Sequence, residues 1–344
     1  MFRLSYRHMR IPLKRTFTIS RGSRDAIDVV YVALESEGIT GYGEAAPNHR
    51  YNETAESVIA VFKSFDTGDI TNPYDNVHVN EYIGSLHKAE YSAKAALEMA
   101  VLDWVGKKLK TPVHRLWNAP STTGPQTSYT IGIDEPSLIA EKVKEAEEYP
   151  ILKVKLGSPY DREIIEEIRK ATSKPVLVDA NEGWKTVEVA MENIRFLSDM
   201  NIELIEQPMP SSMHAEMTRL KQLSEIPLIA DESFTGREDL REISNAFHGI
   251  NIKLMKTGSM RFAMQKIAEA RKHGLKVMIG CMVETSLADT ASAILSLWAD
   301  YADIDGHLLV GRNPFSGVVI DKNGYVTLND KNGLGVNLME DILD

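Results

Sequence analysis

The sequence predicts an α/β fold in which a closed parallel eight-stranded barrel follows a smaller α+β domain. Its 344 residues exceed one ordinary core and fit a barrel of about 200 to 250 residues plus a second domain. Short apolar runs recur at intervals of about 25 residues after residue 126, separated by polar, helix-length segments, which is the pattern of βα units. Three runs end in an acid: Pro175-Val-Leu-Val-Asp179, Ile202-Glu-Leu-Ile-Glu206 and Pro227-Leu-Ile-Ala-Asp231. If these strands are neighbours in a parallel sheet, the acids emerge at the end where barrels carry their active sites.

The elements follow in order. Residues 4–13 and 26–37 alternate apolar and polar side chains around the turn signals Arg21-Gly22-Ser23 and Ser36-Glu37-Gly38, which predicts a small antiparallel sheet. Over 53–65 and 92–109 the period becomes helical, with Ala95, Ala96, Met99, Leu102 and Val105 on one stripe. Asn118-Ala-Pro-Ser-Thr-Thr-Gly-Pro125 has the composition of a linker. Barrel strands are expected near 129–133, 151–155, 176–179, 204–206, 228–231, 249–253, 276–280 and 304–308, with amphipathic helices between them, for example over 161–170 and 259–273. A hairpin is expected around Asn323-Gly324, in a tail that packs back onto the first domain. The expected division is 1–125, 126–317 and 318–344.

Bulk properties exclude several classes. Hydrophobic residues make up 43% and charged residues 26%, a globular balance with no run near the roughly 18 apolar residues of a membrane helix. Met1-Phe-Arg-Leu-Ser-Tyr-Arg alternates polarity and does not read as a signal peptide, so the expected location is cytoplasmic. A single cysteine, Cys281, excludes an internal disulfide framework and a cysteine-based zinc site; it reads as a small buried apolar residue. A net charge of −10 disfavours nucleic acid. The expected partner is a small molecule, with neither nucleic acid nor membrane.

Asp179, Glu206 and Asp231 offer three hard oxygen ligands, which favour Mg²⁺. Lys153 and Lys155, two positions apart on a strand, share a face and both point toward that metal. Downstream, the run from Gly249 ends in Lys253, with Lys256 as its rival or a rim cation. Asp303 and Asp305 either face a cation together or form the turn before Gly306. Glu284 either reaches the site or caps the next helix. Arg24 reads an anionic group or is a surface charge, and Tyr51 lies in a second such loop.

Lys153-Val-Lys155, Asp179-Ala-Asn181, Glu206-Gln-Pro208, Asp231-Glu-Ser233 and Asn251-Ile-Lys253 together resemble the enolase superfamily, in its muconate-lactonizing subgroup. Ala302-Asp303-Ile-Asp305-Gly306 is similar to the Asp-x-Asp motif of dipeptide epimerases of the L-Ala-D/L-Glu type. The resemblance implies a capping domain on a (β/α)7β barrel, a TIM-like fold, with the carboxy-terminal tail returning to the cap and a homo-oligomeric assembly. It implies one Mg²⁺ on Asp179, Glu206 and Asp231. Lys155 and Lys253, rather than Lys256, then move the proton of a carbon beside a carboxylate through an enediolate. Lys153, Asp303, Asp305, Thr130, Met282 and Arg24 are the implied substrate contacts, the two aspartates taking a dipeptide's ammonium. Lysine bases with Mg²⁺ are a known device of such sites, and nearby cations are expected to lower the lysine pKa. The alternative within the fold is an o-succinylbenzoate synthase, N-succinylamino acid racemase or muconate cycloisomerase, whose anionic substrates an aspartate pair would repel.

Overall fold

Alternation at the amino terminus produces one antiparallel sheet, β1 (Arg3–Ile19), β2 (Gly22–Ser36) and β3 (Ile39–Ala45), the last not foreseen in the sequence. The computed structural model describes residues 2–341; Met1 and residues 342–344, the end of the expected tail, lie outside the described residues. Helices α1 (Ala55–Ser64), α2 (Asn76–Ser85) and α3 (Tyr91–Lys108) complete this layer. Two glycines allow β3 to lie directly on α3: a Cβ at Gly43 would stand 1.9 Å from Ala96 O, and one at Gly41 would stand 2.1 Å from Ala100 O. The expected single stripe on α3 is corrected, because the helix is buried all round from Ser92 to Gly106.

After α4 (Val113–Leu116) and β4 (Thr123–Gln126) the barrel begins. Its strands are β5 (Ser128–Ile131), β6 (Ile151–Lys155), β7 (Val176–Asp179), β8 (Ile202–Glu206), β9 (Leu228–Ala230), β10 (Gly249–Lys253), β11 (Lys276–Gly280) and β12 (Tyr301–Asp303). They lie in sequence order, joined in parallel. A single bridge, Thr127 to Ala302, brings the two edges together. Helices α5 (Pro136–Glu145), α6 (Asp161–Ala171), α7 (Val187–Ser198), α8 (His214–Leu223), α9 (Leu240–Ala246), α10 (Leu254–Thr257), α11 (Met260–Lys272) and α12 (Ser286–Ser296) return between strands. Their starts follow local chemistry: proline opens α5, and Ser259 Oγ accepts from Phe262 N at 3.0 Å to cap α11.

The eighth strand is displaced from its expected place. It ends at Asp303, and the apolar run after it forms a short helix, α13 (Gly306–Leu309). Asp305 therefore precedes a helix instead of sharing a strand face with Asp303. Beyond it, β13 (Phe315–Ser316), β14 (Val319–Ile320), β15 (Tyr325–Thr327) and β16 (Asn337–Leu338) form two small sheets, with β15 pairing both β14 and β4. The end of the segment read as a linker is thus a strand. The tail is fastened to α3 and α4 through Leu334 N to Asp103 Oδ1 at 2.9 Å and Val113 N to Gly333 O at 2.8 Å.

Buried carboxylates of the first domain also serve the barrel's helices. Glu44 accepts from Thr285 N at 2.8 Å and Ala288 N at 3.1 Å at the start of α12. Glu98 accepts from Met260 N and Arg261 N at the start of α11. Each places carboxyl oxygens where a helix leaves its amide groups unpaired. Among the described residues, no helix is long and apolar enough to cross a membrane.

Candidate active site

Along a strand, alternate residues face inward, so each barrel strand contributes a lower and an upper inward residue. Leu177, Leu204, Ile229 and Met278 form an apolar floor. Two residues above the first three stand Asp179, Glu206 and Asp231, all at most 2% exposed. Register places Lys155 beside Asp179, and Asp179 beside Glu206. Across the barrel it places Lys253 beside Gly280, and Gly280 beside Asp303. The glycine is required here, because a Cβ would stand 2.6 Å from the Asn251 side chain, whose Nδ2 donates to Glu206 Oε1 at 2.8 Å.

Each acid meets lysine. Lys155 Nζ lies 2.6 Å from Asp179 Oδ2, and Lys253 Nζ lies 2.9 Å from Asp231 Oδ2. Lys153 Nζ stands 3.2 Å from Asp179, 2.6 Å from Glu206 and 2.6 Å from Asp303. Lys256, 2% exposed, holds Asp231 Oδ1 at 2.6 Å. It is therefore neither a rim cation nor a rival facing the cavity. Burial works to raise the Asp179 and Asp231 carboxyls, but the lysines prevail and hold both below the usual range. Glu206 is pushed up to about 7 by burial and then by Asp179.

Burial alone would lower Lys253, yet Asp231 and Glu206 outweigh it and hold the ammonium well above its ordinary value. The lowering expected from neighbouring cations comes here from Lys153, and the carboxylates outweigh it.

Carboxylate oxygens of Asp179, Glu206 and Asp231 lie within 4.8 Å of one another, close enough to share one ion. Four buried polar atoms around them accept or donate no hydrogen bond: Glu206 Oε2, Asn181 Oδ1, Glu232 Oε2 and Asn251 Oδ1. Lys153 approaches Glu206 Oε2 without hydrogen-bonding geometry. An all-oxygen donor set of this kind fits Mg²⁺.

One cavity lies over this layer. Lys155, Asp231, Lys253, Asp303, Asp305, Thr130 and Met282 line it from the barrel, and Phe17, Ile19, Arg21, Arg24, Asn48, Arg50 and Tyr51 from the cap. Thr130, Met282, Arg24 and Tyr51 thus stand where a bound molecule would meet them. Asp303 Oδ1 accepts from Ser128 Oγ at 2.7 Å, and Asp305 Oδ2 accepts from Thr130 N at 2.6 Å. Burial and then Asp303 push the Asp305 carboxyl up to about 7. The Arg24 side chain makes no hydrogen bond or ion pair among the described residues; burial and then Arg21 lower its pKa. Lys153 lies beneath the cavity wall. Glu284 neither lines the cavity nor caps α12, whose amide groups go to Glu44.

Sequence reasoning did not single out the cap's latch. Arg50 Nε and Nη2 hold Glu182 at 3.1 and 3.0 Å. Arg21 Nη1 reaches Glu232 at 2.7 Å and Asn181 O at 3.0 Å. Glu232 directly follows a ligand candidate, which was the available signal; Glu182 had none.

A parallel barrel with three buried acids at neighbouring strand ends, lysines on opposite walls and a cap over its mouth has the form of an enzyme site built around a divalent ion. The chain belongs to the enolase superfamily: residues 3–117 match the mandelate racemase / muconate lactonizing enzyme amino-terminal domain, and residues 138–342 match the enolase carboxy-terminal domain-like family. It is 41% identical over 327 residues to an L-Ala-D/L-Glu epimerase of Bacteroides thetaiotaomicron, covering 95% of this chain and 85% of the relative. A dipeptide epimerase from Enterococcus faecalis, solved with Mg and the dipeptide L-Leu-L-Tyr, superposes with a TM-score of 0.91 at 30% identity, covering 97% of this chain and 98% of that one. An N-succinyl Arg/Lys racemase from Bacillus cereus superposes with a TM-score of 0.92 at 28% identity, covering 99% and 96%.

Proposed function

We propose that this protein is a Mg²⁺-dependent isomerase, a dipeptide epimerase that inverts the α-carbon of the carboxy-terminal residue. The observation that carries this is the placement of Lys155 and Lys253, from β6 and β10, on one cavity above the carboxylate triad. In an eight-stranded barrel those strands stand half a turn apart, so the two lysine Nζ atoms address opposite faces of a carbon held between them. One lysine, as the neutral amine, takes the proton, and the other, as the ammonium, delivers one of its own from the opposite side, which inverts the centre.

Asp179, Glu206 and Asp231 would hold the ion, and bound there it supplies positive charge to the substrate carboxylate as an enediolate develops. Lys153 fixes Asp179, Glu206 and Asp303 at their distances from one another. Asp303 and Asp305 receive the peptide's ammonium end, which Thr130 and Met282 flank. Arg24, the unpaired cation on the cap side, pairs with the side chain of the carboxy-terminal residue and favours an acidic one such as glutamate. The domain division 1–125, 126–317 and 318–344 accompanies this reading, with the first and third segments forming the cap.

The test is incubation of the protein with Mg²⁺ and L-Ala-L-Glu in D₂O, following by mass spectrometry the gain of one deuterium on carbon. Uptake that stops with EDTA supports the reading. Uptake into N-succinylamino acids but no free dipeptide would move the protein to the racemase branch of the fold. Arg24→Ala is expected to raise KM for L-Ala-L-Glu about tenfold, or about 1.4 kcal/mol, and to leave KM for a neutral dipeptide unchanged.

A further inference from the structure

Behind the β11–β12 wall lies a second group of buried acids that the proton transfer does not use. Asp289, on α12 and fully buried, accepts through one oxygen from one residue: Oδ2 takes the His307 backbone N–H at 2.7 Å and His307 Nδ1 at 2.6 Å. A carboxylate is an acceptor, so the proton on this side of the ring is on Nδ1. Oδ1 of Asp289 and Oε1 of Glu284 are both buried and meet no N–H or hydroxyl donor. Burial, then Asp289 and Glu44, keep the Glu284 carboxyl well above its ordinary range.

His307 follows Asp305 by two residues, and the backbone around them is fixed. Cys281 N donates to Asp303 O at 3.1 Å, Ile304 N to Thr127 Oγ1 at 2.8 Å, and Gly306 N to Cys281 Sγ at 3.3 Å. A Cβ on Gly306 would stand 2.5 Å from Met282 O, so this turn admits no side chain. On the far side of Asp305 the chain is held by Leu308 N on Asp305 O at 2.9 Å and by the paired bonds from His307 to Asp289, which tie it to α12.

The geometry points to Asp289 as a positioning residue that acts through His307 to set where Asp305 stands. Asp289 touches no substrate; it determines how well the mouth receives a peptide's ammonium group. This inference rests on the proposed dipeptide reading.

The test compares proton exchange on L-Ala-L-Glu with exchange on its N-acetyl derivative, which lacks the cation, in the wild-type enzyme and in variants. Asp289→Ala is expected to lower the preference for the free dipeptide about tenfold, through KM with little change in kcat, as a displaced anchor does. Glu284→Gln is expected to keep the wild-type preference, because both bonds from His307 to Asp289 remain in it. If Asp289→Ala lowers both substrates equally, Asp289 is structural only and the inference fails. Should that variant not fold, His307→Phe removes the ring bond alone, and an unchanged preference in it overturns the inference equally. A wild-type enzyme that exchanges both substrates alike defeats the ammonium reading itself, before any variant is made.

Discussion

One residue separates Leu177 from Asp179, Leu204 from Glu206 and Ile229 from Asp231, yet the lower members join an apolar floor and the upper members a buried set of acids and lysines. The same strands build both layers, and the same inward pleat buries both. The floor is held by packing, where lost volume is lost stability. The mouth is held by pairing, where each carboxylate faces an ammonium group and removal of one partner leaves a buried charge uncompensated. Stability and chemistry are thereby stacked along one axis, a few ångströms apart, and they can be perturbed separately.

The largest expected effect breaks the mouth alone. Lys155→Ala and Lys253→Ala should each reduce proton exchange by about 10³-fold, and each should do so one-sidedly. With L,L and L,D dipeptides as separate starting materials in D₂O, each variant is expected to fail to deprotonate one epimer. Equal loss from both epimers in both variants would remove the two-lysine assignment.

Breaking the floor should give the converse. Leu204, fully buried, becomes a cavity in Leu204→Ala, at an expected cost of about 3 to 4 kcal/mol in urea unfolding. The kcat of the remaining folded enzyme is expected to stay within roughly twofold. A collapse of kcat in folded protein would show that the two layers are not independent.

The smallest of the three sharpens where the charged region ends. Glu44, fully buried at the start of α12, is pushed up to about 7 from the ordinary 4.5 by burial, against the hydrogen bonds from Thr285 and Ala288. The folded chain therefore holds this proton more tightly than the unfolded chain. The stability it contributes is full below pH 4.5 and is lost as pH rises through 7, by at most about 3 kcal/mol. Glu44→Gln should flatten that part of the stability profile, measured by denaturant unfolding from pH 4 to pH 8. An unchanged slope would mean that Glu44 is ionised throughout.

Strands that close on a charged residue were legible in the sequence. The expected bounds coincide with the structure for Ile151–Lys155, Val176–Asp179, Gly249–Lys253 and Lys276–Gly280, because an apolar run that stops at a charge marks where a strand leaves the core. The eighth strand was not legible. Tyr301–Asp303 has three residues, while the apolar run after it is a helical turn, and periodicity does not distinguish such short pieces. The clustering of the acids and lysines followed from their places at strand ends. The latch of Arg21 and Arg50 on Glu232 and Glu182 did not, since it depends on which cap loop lies over which barrel loop. Glu44 was hidden for the same reason: the amide it accepts from, Thr285 N, lies 241 residues away in the chain.

The way the barrel closes bears on how such a protein changes over generations. Seven joints between its strands are backbone ladders, whereas the eighth is the single bridge from Thr127 to Ala302, reinforced by Thr127 Oγ1 on Ile304 N and Ser128 Oγ on Asp303. A ladder is carried by every residue in it and by no side chain in particular. A seam stitched by side chains alters when one of them does. Asp303 lies on that seam, while Asp179, Glu206 and Asp231 stand on ladders and meet Asp303 only through Lys153. Drift at Ser128 can thus shift Asp303 and the cavity wall it forms, while the strand register that places Asp179, Glu206 and Asp231 is inherited intact.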